Sequence, residues 1–195
     1  MTIATNKTLT LEEYLTYDDG TGARYELVNG VLVEMPTESP INKTIVMFLV
    51  SYFLRLGIPY YRLAVGHQLE VTSEQASARE PDLVVHSEES AAAILRDGKL
   101  LRLGMPVPDL VVEVVSSSDT DPISRERDYV EKRQEYGARQ VPEYWIVDPV
   151  AAVVYVLTLV DGNYQECKFE DDQILMSPEF TAVNLTAAQL LRAGL

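Results

Sequence analysis

The chain is poor in the residues that usually build metal clusters. It has one cysteine and two histidines in 195 residues. A single thiol, Cys167, excludes an intrachain disulfide and a thiolate metal site, and fits a reducing compartment. His67 and His86 are isolated in sequence and fit no Cys/His zinc spacing, so polar structural roles are expected of both. There is no phosphate-binding glycine loop. Long apolar runs are missing too: a stretch such as 110–115 is far too short to span a bilayer. The opening MTIATNKTLTLEEY has no apolar signal-peptide core. A cytoplasmic protein without a membrane partner is expected.

Positive charge is also scarce. Sixteen Lys and Arg face thirty Asp and Glu, a net charge of −14. Phosphate binding favours cations, so this balance opposes nucleic-acid contact at long range. The distribution is uneven, however. Residues 124–139 carry five cations (Arg125, Arg127, Lys132, Arg133, Arg139) against four anions. That segment could touch phosphate, but a solvated helix of mixed charge is the plainer reading.

What remains is an ordinary globular composition. At 47% hydrophobic residues, 195 positions suffice for one domain, 1–195, with a sizeable core. Helix and strand signals alternate. Thr10-Leu-Glu-Glu13 is a capping box and predicts a short helix from Leu11. Residues 25–35 read as a hairpin turning at Asn29-Gly30. Pro40 opens a helix to about Leu56, ended by Gly57 and Pro59. Strands are expected over 63–71, 82–86 and 110–115, and residues 87–98 as a short helix or loop. A second long helix is expected from about Asp121 to Tyr136, with Gly137 as its stop. Tyr144–Val147 follows as a strand, in which Tyr144 and Trp145 are expected to be packing. A hairpin over 153–169 turns at Asp161-Gly162, and an amphipathic helix closes the chain at 186–191. Ser116-Ser-Ser118 reads as a strand end that helps cap the next helix, since no base is placed to activate a serine.

The chemistry concentrates in the middle. In Asp109-Leu-Val-Val-Glu113-Val-Val, alternation places Val111, Glu113 and Val115 on one face of a strand. Glu113 is thus a carboxylate among valines, which costs several kcal/mol on the order of an unpaired buried charge unless a cation compensates. A structural Arg partner or a sheet-edge position would also account for it. Glu80-Pro81-Asp82-Leu-Val-Val puts a second acid at the entrance of another apolar strand, where a simple turn residue is the plain alternative. If the two strands are neighbours, the carboxylates converge, and two oxygen ligands with open positions suit Mg²⁺ or Mn²⁺. Asp128, Lys132 and Tyr136 share a helical stripe. If it faces the sheet, Lys132 reaches the carboxylates; otherwise Asp128 and Lys132 are an ordinary ion pair.

In order along the chain stand Arg24-Tyr-Glu-Leu-Val-Asn-Gly30, Pro81-Asp82-Leu83, Asp109-Leu-Val-Val-Glu113-Val-Val-Ser116, Asp128-x3-Lys132-x3-Tyr136-Gly137 and Glu143-Tyr-Trp-Ile-Val-Asp-Pro149. Each is weak alone, but the ordered set resembles the Uma-type restriction-endonuclease family of the PD-(D/E)xK nuclease superfamily, over roughly residues 9–169. The resemblance implies an α/β, restriction-endonuclease-like mixed sheet with flanking helices: a helix, three strands, a second helix and a fourth strand, with an N-terminal helix-hairpin and a C-terminal β-hairpin added.

It also implies a site. Asp82, Glu113 and Val114 would hold Mg²⁺ (Mn²⁺ as a substitute), and Asp82, Glu113, Lys132 and Glu26 would be the catalytic set. The superfamily lysine would fall at Val115, and Lys132 takes its place from the next helix. Asn42 stands where the family often carries histidine; it can hydrogen-bond but not titrate. DNA is the implied substrate, and a homodimer is compatible with the exposed strand edges of two hairpins. Two other functions stay open on the residues alone: a nuclease fold reused for binding or assembly, and a two-carboxylate hydrolase of another substrate.

Overall fold

The computed structural model describes residues 8–35, 39–75, 77–98, 100–116 and 126–193. Among these residues five α-helices and eleven strands follow one another as α1 (Leu11–Leu15), β1 (Tyr25–Val28), β2 (Val31–Glu34), α2 (Pro40–Arg55), β3 (Leu63–Ala64), β4 (Gln68–Glu70), β5 (Ala78–Arg79), β6 (Leu83–Val85), α3 (Glu88–Asp97), β7 (Leu100–Leu101), β8 (Leu110–Val114), α4 (Lys132–Ala138), β9 (Glu143–Asp148), β10 (Val153–Val160), β11 (Asn163–Glu170) and α5 (Ala187–Leu191).

The local signals act as expected. Thr10 accepts from the Glu13 amide, and the Glu13 carboxylate accepts from the Thr10 amide, closing the capping box. Asn29 and Gly30 have φ of 48° and 76°, the left-handed pair that a tight hairpin turn needs. Asp161 and Gly162 repeat it at 50° and 78°. Ser39 caps α2 at the Asn42 amide, with Pro40 in the first turn.

The strands form two mixed sheets. One is ordered β2-β1-β5-β4-β7, the other β11-β10-β9-β8-β6-β3. The expected core lies in the second, as α2, then β3, β6 and β8, then α4, then β9, with β8 and β9 parallel. The stretch expected as one strand over 63–71 is two: β3 pairs with β6, while β4 joins the other sheet beside β5. Gly66, at φ 78°, lies between them.

Strands β8 and β9 are buried along their whole length. Leu110, Val112 and Val114 pack with α2 and α5, while Val111 and Val115 pack on the opposite face with Tyr136, Tyr144 and Ile146. Fully burying each such aliphatic side chain stabilises by about 1.5–3 kcal/mol. A slip of one residue would exchange the two faces, so the register of β8 is fixed. Glu113 is therefore held on the α4 side of an interior strand, not at a sheet edge.

The second long helix differs from expectation in two ways. Its expected start, residues 121–125, and Ser117-Ser118 before it lie outside the described residues. The described part opens with a wide turn over Arg127–Glu131, in which the Lys132 amide donates to the Arg127 carbonyl five residues back. Gly137 is not the stop: α4 runs through it to Ala138, and Gln140, at φ 65°, takes the left-handed turn. Gly137 instead faces the Tyr164 ring, where an added Cβ would lie 3.4 Å from it.

Candidate active site

The antiparallel register of β6 and β8 pairs Leu83 with Val112. Extended by one step, it sets Asp82 opposite Glu113. The Val114 amide donates to Asp82 Oδ2 at 2.6 Å, which ties the half-buried Asp82 to the end of β8. Glu26 comes from β1 of the other sheet, and the Glu80 amide donates to its Oε1 at 3.1 Å. Glu26, Asn42, Asp82, Glu113, Val114 and Lys132 line one cleft. Its volume of about 50 Å³ admits an ion and a few waters but no drug-sized ligand.

The stripe on α4 does face the sheet. Lys132 Nζ lies 2.8 Å from Glu113 Oε2, 3.2 Å from Asp128 Oδ1 and 3.8 Å from Glu26 Oε1. The Tyr136 hydroxyl donates to the other Glu113 oxygen at 2.7 Å. Glu26, Glu113, Asp128 and Lys132 are each under 5% exposed, so these ion pairs are shielded from solvent. Glu113 thus has a lysine as its cation, and Asp128 joins the site rather than forming a surface pair.

Burial sets the charge states. It pushes the Glu113 carboxyl up to about 7; Lys132 opposes that shift, while Asp128 and Glu26 add to it. Burial also acts to raise Glu26, but Lys132, Arg79 and Arg127 outweigh it and hold the carboxyl at about 2. Lys132 loses by desolvation and gains more from Glu113, Glu26 and Asp128, so its pKa is raised and it stays charged.

Two arginines complete the cluster, and sequence reasoning assigned neither to the site. Arg79, fully buried, donates to Glu26 at 3.2 Å, to Glu135 at 2.7 and 2.8 Å, and to Glu131 at 3.4 Å. It locks β1 and α4 together. Arg127 donates to Asp128 at 3.2 Å. The available signal was the charged pair Arg79-Glu80 just before Pro81-Asp82, at the mouth of an apolar strand.

Asn42 reaches the same place. It is buried at the start of α2, and its Nδ2 donates to the carbonyls of Val114 and Val115 at 3.2 Å each. The position that could carry a titrating ring thus holds an amide that fixes the end of β8.

The described cations of 124–139 all have partners within the chain. Besides Arg127 and Lys132, Arg133 pairs with Glu166, and Arg139 donates to the carbonyls of Leu101 and Arg102. Tyr144 and Trp145 are buried as expected, though each has a bonded polar atom: the Tyr144 hydroxyl donates to the Asp128 carbonyl and the Trp145 indole to Glu143. The two histidines, isolated in sequence, meet in space. Their ring nitrogens lie 3.0 Å apart, and His86 is also 3.0 Å from the Ser90 hydroxyl.

As a metal centre the residues were tested by their donors. Among the described residues, no three His, Cys, Asp or Glu side chains form a metal-holding group. Asp82 and Glu113 line the cleft beside Val114, whose main-chain oxygen accepts from Asn42. That hard-oxygen set fits a cation that keeps most of its waters, as Mg²⁺ does.

Fold and site together define a nuclease-like α/β protein with an acidic, lysine-bearing cleft. The chain belongs to the Uma2 family, described as "putative restriction endonuclease", whose model matches residues 11–189. Among solved structures it is similar to a protein of Anabaena variabilis ATCC 29413, described as a putative nuclease belonging to DUF820. The two share 18% identity and a TM-score of 0.67, with 94% of this chain and 97% of that one covered. No curated protein matches. At that identity the structural likeness shows the fold, which agrees with the architecture expected from the sequence. No helix among the described residues is long and apolar enough to cross a membrane.

Proposed function

We propose that the chain is one restriction-endonuclease-like domain that hydrolyses DNA phosphodiester bonds with Mg²⁺, acting in the cytoplasm. The observation that carries this reading is the Lys132 ammonium, 2.8 Å from Glu113 on a cleft shared with Asp82. Asp82, Glu113 and the Val114 carbonyl would hold the cation. When bound, it supplies Lewis acidity toward a phosphoryl oxygen and a more acidic water. Lys132 would orient the attacking water and offset charge that builds on the phosphoryl group. Glu26 keeps Lys132 in place and charged. Tyr136 and Asn42 fix the Glu113 carboxylate and the end of β8.

The test is titration of the purified protein with Mg²⁺ and Mn²⁺ by calorimetry, together with a supercoiled-plasmid nicking assay. Expected are divalent binding and nicking, both lost in Asp82→Ala with the fold retained. Nicking that survives Asp82→Ala would overturn the assignment.

A second reading has one observation in its favour: the described cations of 124–139 all contact groups of the chain itself. It is a nuclease fold reused for binding or assembly. Absence of any divalent binding would select it.

A further inference from the structure

We infer that the outer edge of β11 is a docking surface for a second copy of this chain, in one twofold register centred on Cys167. Strand β11 ends its sheet and pairs only with β10 among the described residues. It is eight residues long, and positions 165–168 are all exposed. An edge of that length presents unpaired main-chain donors and acceptors that another strand can satisfy.

The register follows from the turn. Asp161-Gly162 is a two-residue loop, so the flanking pair Val160 and Asn163 is the hydrogen-bonded pair that closes it. Odd-numbered residues of β11 therefore bond to β10. Even-numbered residues turn their N–H and C=O groups to the free edge. Two contacts agree: Arg133 reaches the Tyr164 carbonyl at 3.1 Å, and the Glu170 amide donates to the Gln173 side chain at 2.7 Å. Glu166 and Lys168 lie between these capped ends and carry the open groups.

An antiparallel twofold pairing places each residue opposite one whose number mirrors it across the axis. Centred on Cys167, the axis sets Glu166 against Lys168 of the second copy and Lys168 against its Glu166. All four residues then offer main-chain groups that point at each other. Moving the axis to Glu166 opposes two glutamates, and moving it to Lys168 opposes two lysines, both unfavourable. The Cys167 centre is the one neighbouring choice that satisfies the backbone and the charges together. Each of these side chains already has an internal partner, Arg133 for Glu166 and Glu170 for Lys168, so the cross-pairs extend existing exposed networks.

The two Cys167 residues would form a non-hydrogen-bonded pair with Cα atoms about 4.5 Å apart, within the span of a disulfide. This supplies a distance probe. Diamide takes up the two protons and two electrons of the paired thiols as the S–S bond forms.

The experiment is sedimentation equilibrium of the reduced full chain from micromolar to millimolar concentration, on wild type, Glu166→Lys, Lys168→Glu and the double exchange. All substituted side chains are exposed, and circular dichroism checks that the fold is kept. Expected is a reversible wild-type dimer, weakened about tenfold or more by each single reversal, which turns two attractive pairs repulsive. The double exchange restores it. Diamide cross-linking at low concentration should follow the same order. A monomer at millimolar concentration, a dimer indifferent to both single reversals, or a double exchange that does not recover would each overturn the inference. Metal binding by the cleft is read separately and does not decide it.

Discussion

The Tyr136 hydroxyl donates to Glu113 Oε1 across 2.7 Å, and both side chains are buried. This bond turns the second oxygen of Glu113 toward Lys132. Tyr136→Phe removes the donor and little else. It is expected to destabilise the protein by about 1.5–3 kcal/mol, the range for a bond to a charged acceptor. Urea unfolding measures that. On the nuclease reading, calorimetry should also show divalent-cation affinity falling by about tenfold to a hundredfold, since the bond orients a ligand.

Lys132 is the cation shared by three buried carboxylates. Lys132→Met leaves Glu26, Glu113 and Asp128 without it. A loss of about 3–5 kcal/mol is expected, the usual penalty for breaking a buried pair from one side. Thermal melts with and without Mn²⁺ check the second half of this prediction. On the nuclease reading a dication at the cleft would replace part of the missing charge, so Mn²⁺ should raise the melting temperature more in the variant than in a Lys132→Met, Asp82→Ala double variant.

His86 is fully buried, and desolvation, followed by His67 and Arg62, lowers its pKa to about 4. Between that value and the ordinary value of about 6.5, the unfolded chain takes up a proton that the folded chain refuses. The contribution of His86 is therefore present in full above about pH 6.5 and falls as pH drops toward 4, by up to about 3 kcal/mol, while Glu113, raised to about 7, acts in the opposite sense. The slope is read as the difference in urea-unfolding free energy between wild type and His86→Gln, which should shrink as pH falls from about 6.5 to about 4.

Two glycines make opposite predictions. Gly30 has φ 76°, and a Cβ there would lie 2.3 Å from Thr8 Cγ2, so Gly30→Ala should destabilise by more than about 1 kcal/mol. Gly137 sits in helical backbone with the Tyr164 ring at ordinary contact distance from an added Cβ, so Gly137→Ala should stabilise by about 0.5–1 kcal/mol. Melting temperatures distinguish the two signs.

The legible parts of the fold are those written in local chemistry. Both tight hairpins announce themselves by Asn-Gly and Asp-Gly, α1 by its capping box and α2 by Ser39-Pro40. Strands β3, β5 and β7, of two residues each, are too short to carry a period. Of the site, the valines around Glu113 reveal a carboxylate that needs a partner, and the spacing of Asp128, Lys132 and Tyr136 shows that one helix face can supply it. The role of Arg79 is not legible, because Glu135 is 56 residues away and on the other layer. The meeting of His67 with His86 depends likewise on how two loops fold back. Gly137 is not legible as a helix-interior residue, because a glycine within helical backbone looks the same in sequence as one needed for a left-handed turn.

The wide turn at Arg127–Glu131 holds one residue more than an α-helical turn would. Such a turn is what a single-codon insertion leaves behind in a helix. A residue of a regular helix advances about 100° around its axis, but the wide turn takes up its extra residue within one revolution, so the segments before and after it keep their faces. Asp128 and Lys132, four residues apart across it, stay 3.2 Å from each other. The face that Lys132 turns toward Glu113 is therefore set by the spacing of residues along this turn as much as by their identity.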